Sequence, residues 1–188
     1  MDAKEGSHKG IDRDAEIARS VIESPEYGRR LSRLGETSKV QQKIIDESKA
    51  ILRHRNGTYY EDLAFINSMT GEVGRVTDYD KEREVMPSRA MKQMVEKSGD
   101  YTVISIHNHP GSTVPSDGDI NSIVQHKHKY GLVVGHDGSI FKYSMVGAFN
   151  RAMYYAAWRG LYRNENQPDS MTDFIRAAAM AGVLVEVL

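Results

Sequence analysis

Apolar positions recur along this chain with two different periods, and the change of period divides it. Between residues 12 and 54 the period is helical. Ile17, Val21 and Ile22 mark one segment, which Pro25 ends or bends, and Val40, Ile44, Ile45, Ile51 and Leu52 mark a second. Asn56-Gly57 stops that helix. From Tyr59 to Ile66 the residues are aromatic, β-branched or aliphatic, which predicts a strand. Met69-Thr70-Gly71-Glu72 makes the turn, and Val73 to Thr77 returns antiparallel. Pro87 to Ser98 predicts a helix closed by Gly99, and Tyr101 to Ile106 is a continuous apolar run, the pattern of a strand buried on both faces. Residues 107 to 115 read as a loop. Ser116 is placed to cap a helix running to about Lys129. Leu132 to Val134 and Ser139 to Tyr143 are expected strands joined by His136-Asp137-Gly138. Val146 to Tyr162 and Asp169 to Leu188 read as helices. The expected fold class is therefore α/β in the mixed α+β sense: a mixed central sheet flanked by helices, with further helices at both ends. The organisation expected is a helical N-terminal extension over residues 1–56, a core over 57–145 and a C-terminal helical segment over 146–188.

Composition removes several classes. The chain has 188 residues and a formal net charge of −1, so charge gives no argument for nucleic acid or a membrane surface. It has no cysteine, which excludes disulfides and thiolate metal sites and leaves His, Asp and Glu as ligands. Met1 to Gly10 is polar, without the apolar stretch of a secretory signal. No run is long enough to span a bilayer, and a cytoplasmic protein is the expectation.

One segment concentrates chemistry: His107-Asn108-His109-Pro110, then Ser116-Asp117-Gly118-Asp119. His107 and His109 stand two apart at the end of a strand, so both rings project to one side. Asp119 falls in the first turn of the next helix, and the intervening loop is long enough to return its carboxylate to the imidazoles. Two histidines and a carboxylate make a three-ligand zinc site with a fourth position open, the mark of a catalytic rather than a structural metal. A bare His-x-His is common by chance. The added Pro, Ser and Asp after a buried strand give the set its weight.

These residues resemble the signature of the JAMM (MPN+) metalloproteases, H-x-H-P followed by S-x-x-D, and the His-Asn-His-Pro form is similar to the RadC branch. The loop from Pro110 to Pro115 is one residue shorter than the usual pattern. In that respect, and in Lys129 to Gly138 with Ile140 and Tyr143, the chain resembles JAMM-like domains of phage minor head and head-morphogenesis proteins. The resemblance covers about residues 57 to 145. It implies a JAMM/MPN-like sheet with cytidine-deaminase-like layering, a Zn2+ ion on His107, His109 and Asp119, and hydrolysis of an amide bond. It also implies an upstream glutamate as general base. Glu61 fits, with Glu72, Glu82 and Glu84 as rivals. Ser116 has two readings, helix N-cap or stabiliser of an oxyanion.

Other residues read more simply. His126 and His128 suggest a solvated basic face near a helix end, and His136 a turn residue. Asn108 should point away from the two ligands. Tyr154, Tyr155, Trp158 and Tyr162 suggest core packing of a helix, with a docking surface as the alternative. Three functions follow in order. The first is a peptidase or isopeptidase acting on a protein or peptide, with phage structural proteins as candidates and host cytoplasm as the setting. The second is a non-catalytic head-morphogenesis module that retains fold and metal. The third is a nucleic-acid enzyme, disfavoured by the charge; a deaminase would need cysteine ligands.

Overall fold

The computed structural model describes residues 12–163 and 170–188. The polar stretch Met1–Gly10 and the expected helix start at Asp169 lie outside the described residues. Those residues form a 3-10 turn (Arg13–Ala15), seven α-helices and one six-stranded sheet. The helices are α1 Arg19–Ile22, α2 Pro25–Ser32, α3 Ser38–His54, α4 Arg89–Lys97, α5 Asp117–Gln125, α6 Arg151–Arg163 and α7 Met171–Met180. The strands are β1 Leu63–Asn67, β2 Val73–Val76, β3 Val103–His109, β4 Tyr130–Gly135, β5 Ile140–Met145 and β6 Val183–Val187. Their order across the sheet is β2-β1-β3-β4-β5-β6. Only β3 and β4, joined through α5, run parallel; the other neighbours are antiparallel. The mixed α/β architecture read from the sequence is thus the observed one. Among the described residues no helix is long and apolar enough to cross a membrane.

Strand alternation sends successive side chains to opposite faces, and each face has its own cover. Ala64, Ile66, Ile104, Ile106, Leu132, Val134 and Ile140 meet Ile22, Leu31, Val40, Ile44 and Leu52 of α1 to α3. The N-terminal helices therefore form one whole layer of the molecule. On the other face, Met91 and Met94 of α4 cover Leu63, Phe65 and Val103. Further along that face, α5, α6 and α7 cover Val133, Phe141, Tyr143, Val183 and Val185. Between these two groups of helices the sheet is left open above the end of β3.

Several element boundaries differ from the sequence reading. The first segment does end before Pro25, at Ile22, and Pro25 is also the first residue of α2, with Ser24 as its cap. The helix after Ser116 stops at Gln125, because Lys127 takes a left-handed backbone (φ 48°) and the chain turns into β4. The helix expected from Val146 begins at Arg151, where the Asn150 side chain accepts from the Met153 amide. The expected final helix ends at Met180. Gly182 (φ 87°) breaks it, and Val183–Val187 joins the sheet as an edge strand. A side chain at Gly182 would meet the Ala148 carbonyl oxygen at 2.3 Å, so the close approach of the two loops also requires glycine there.

Candidate metal centre

β3 runs through both histidines, and all seven of its residues are buried. Ser105, His107 and His109 face the open side of the sheet, while Ile104, Ile106 and Asn108 face α3. The strand ends at His109. The loop returns so that Ser116 caps α5 and Asp119 occupies the third helical position. This site lies beyond the carboxyl end of a strand in the one parallel pair, at the amino end of the crossover helix, where α/β sheets commonly bind ligands.

The three side chains named from the sequence meet there. His107 Nε2 and His109 Nε2 are 3.0 Å apart. Asp119 Oδ1 is 3.2 Å from His107 Nε2, and Asp119 Oδ2 is 3.4 Å from His109 Nε2. Four-coordinate zinc with bonds of about 2.0–2.1 Å sets its ligands about 3.3 Å apart. With one atom from each residue, the ligand atoms lie within 4.8 Å of one another, so these donors could hold a small divalent cation after a slight closing of the cluster. His109 is further fixed on its other nitrogen, where Nδ1 lies 3.0 Å from the Thr113 carbonyl oxygen and 2.9 Å from the Thr113 hydroxyl. A proton on Nδ1 donated to that carbonyl leaves the Nε2 lone pair for a metal.

Charge is balanced within the cluster. Burial opposes ionisation of Asp119, but His107 and His109 outweigh it and hold the carboxyl well below its usual range. Burial likewise lowers the His109 pKa, and the Asp119 contact more than offsets it, so the net shift is upward.

Glu61 is buried and lines the same cleft. The β1–β3 register places Leu63 opposite His107. Continued two residues back, it sets Glu61 level with His109 and, by alternation, on the ligand face. Burial raises the Glu61 pKa above that of an ordinary carboxyl, and His107 and His109 pull against that shift. Of the rival glutamates, Glu72 is exposed at the far end of β1, Glu82 is exposed where its backbone bridges Tyr60, and Glu84 is exposed on the cleft rim.

Ser116 takes the capping role. Its hydroxyl donates to Asp119 Oδ2 (2.7 Å) and accepts from the Asp119 amide (3.2 Å), and its own amide donates to the same carboxylate oxygen (2.7 Å). The single hydroxyl proton is thereby used on Asp119. Asp119 is thus the capping-box acid of α5 and also the carboxylate that meets His107 and His109.

The cleft has a volume of about 850 Å³ and is open to solvent. Leu63, Phe65, Val85, Met86 and Trp158 give it apolar walls beside the metal-binding triad. Tyr143 lies on its floor. Its ring occupies the space above Gly131, where a Cβ would come within 2.0 Å of the Tyr143 ring. The sequence reading does not place Tyr143 in the cleft, and it passes over Thr113. The signals were a glycine inside a β-strand, which marks a close approach, and a hydroxyl residue four places after a ligand histidine.

The structure overturns one histidine reading and extends another. His128 is not on a solvated face: it is 2% exposed, packs edge-on against Phe65 and has no partner on either ring nitrogen. Burial, with a smaller contribution from His126, brings its pKa down to about 4. His136 does lie in the turn after β4, and it is also buried and hydrogen-bonded through both nitrogens. Of the aromatic band on α6, Tyr154 is core, whereas Tyr155 and Tyr162 are partly exposed and Trp158 borders the cleft. No protein-family model, curated protein or solved structure matches the chain.

Proposed function

We propose that this protein is a zinc-dependent peptidase or isopeptidase of the JAMM type. The observation that carries the reading is the triangle of His107, His109 and Asp119 with buried Glu61 on the same face of one cleft. His107, His109 and Asp119 would hold the ion. When bound, zinc acidifies water and draws charge from a carbonyl oxygen. Glu61 is the general base: its carboxylate takes a proton from the attacking water and returns it to the leaving amine as the C–N bond breaks. A raised pKa suits a group that must both accept and donate near neutral pH. Ser116 holds the Asp119 carboxylate in place, and the apolar walls accept side chains flanking the scissile amide. The substrate class is protein or peptide, with phage structural proteins in host cytoplasm following from the resemblance in the loop.

Elemental analysis of the purified protein tests the metal. About one zinc per chain is expected, lost in both His107→Ala and Asp119→Ala. Two histidines and one carboxylate also serve non-haem iron, so iron is counted in the same run, and iron in place of zinc would refute the assignment. A quenched-peptide library then tests turnover, with Glu61→Gln expected to keep the zinc and to cut hydrolysis to a measurable remainder, about 10²–10⁴-fold below the wild type. Full zinc with no cleavage of any peptide or of isopeptide-linked protein would leave the assembly module as the function.

A further inference from the structure

Glu61 stands two residues ahead of the β1 ladder, whose first pair is Leu63 with His107. What fixes it instead is the side chain of Asn108, on the far face of the sheet from the metal ligands. Asn108 Oδ1 accepts from the Asp62 amide at 2.8 Å. Asn108 Nδ2 donates to the Tyr60 carbonyl at 3.1 Å. These two groups belong to the peptide units on either side of the Glu61 Cα. One carboxamide, offering a donor and an acceptor as a backbone partner would, thereby pins both flanking peptides.

We infer that Asn108 is a positioning residue: its carboxamide replaces the missing strand partner and sets the backbone from which Glu61 reaches over the metal ligands. The carboxamide is itself held. Its second N–H donates to His136 Nε2 at 3.1 Å, and His136 Nδ1 donates to the Ala15 carbonyl at 2.7 Å. That proton placement makes Nε2 an acceptor and fixes which end of the Asn108 amide faces Asp62. Asn108 is 0% exposed, so a flipped amide would set its NH2 against the Asp62 N–H and its oxygen against two acceptors, the Tyr60 carbonyl and His136 Nε2. The next side chain along is secured as well. The Asp62 carboxylate pairs with Arg55 and accepts from His54 at 2.7 Å, and Arg55 continues to the Thr77 carbonyl at 2.9 Å. Both neighbours of Glu61 are thus tied down, and the glutamate alone is left to face the cleft.

The inference rests on Glu61 as the base, and its test separates the two. Amide hydrogen exchange is measured residue by residue in Asn108→Leu, with Asn108→Ser as a second variant in case the first does not fold. Asp62 should exchange about tenfold faster, the loss expected for one buried hydrogen bond, while Ile104 and Ile106 on the same sheet stay unchanged. Zinc stoichiometry should also stay unchanged. Exchange that rises equally across the sheet, or that leaves Asp62 protected, overturns the proposal. Turnover of the peptide library adds a double-mutant cycle. Asn108→Leu should lower kcat with KM retained, and should cost nothing further in a Glu61→Gln background. A full additional loss there would mean that Asn108 acts elsewhere than through Glu61, and would overturn the proposal. Full activity in Glu61→Gln alone would refute the base, whatever the exchange data show.

Discussion

Asp119 is asked to do two jobs with two oxygens. Oδ1 faces His107, and Oδ2 faces His109 while accepting from both the amide and the hydroxyl of Ser116. Ser116→Ala removes the hydroxyl and leaves the amide bond. We expect metal-free protein to lose about 1 kcal/mol, as for other helix caps, and zinc affinity to fall about tenfold or more as the carboxylate loosens. Urea unfolding and competition with a chelator read the two effects separately. His128 makes a second case. Its pKa lies near 4, against an ordinary 6.5, because burial disfavours the cation. Between those values the unfolded chain binds a proton here and the folded chain does not. The stability from this group is therefore complete above pH 6.5 and is lost as pH falls toward 4, by roughly 3 kcal/mol. Urea unfolding of metal-free protein at several pH values should show that loss in the wild type, and His128→Leu should lack it. The triad was legible in the sequence because His107, His109 and Asp119 lie close together along the chain. His128 was not, because nothing local tells a histidine at a helix end that the backbone will turn it inward at Lys127.

At the scale of elements, the open floor of the site depends on one pairing. Gly131 of β4 stands opposite Tyr143 of β5, and the tyrosine ring lies where a β4 side chain would be. Gly131→Ala places a methyl inside that ring. The ring must move, and we expect a loss of about 2–3 kcal/mol, in the range of overpacked cores. Thermal unfolding measures it, and a second change, Tyr143→Leu, should recover much of the loss by vacating the space. Sheet and helix periods made most elements readable, since each helix buries one stripe and each strand one or both faces. The last strand was misread although Val183, Val185 and Val187 alternate after Gly182. An alanine-rich helix immediately before it carried the apolar pattern across the break.

For the molecule as a whole, the triad has a thermodynamic signature. Two imidazoles and a carboxylate held within 3.4 Å of one another, largely away from water, favour a bound cation over an empty site. Any ion that binds the folded chain alone raises its stability by mass action, by about 2.7 kcal/mol at a hundredfold excess over Kd. Adding a strong chelator should lower the unfolding midpoint of the wild type and leave that of His107→Ala in place. The overall layering was readable in outline, but the weight of the N-terminal helices was not. Residues read as an extension pack on the face of the sheet that carries Ile104, Ile106, Leu132 and Val134.

The spacing of the site along the chain also implies an order of events. His107 and Asp119 are 12 residues apart, within one strand, loop and helix turn, whereas Glu61 lies 46 residues before His107. Closing the short loop costs little entropy, while bringing β1 beside β3 requires a long-range contact that forms late. On the proposed function, a nascent chain would complete its metal triad before Glu61 arrives. Hydrolysis would then wait on the finished sheet, and a half-folded copy could hold a cation without acting on its neighbours.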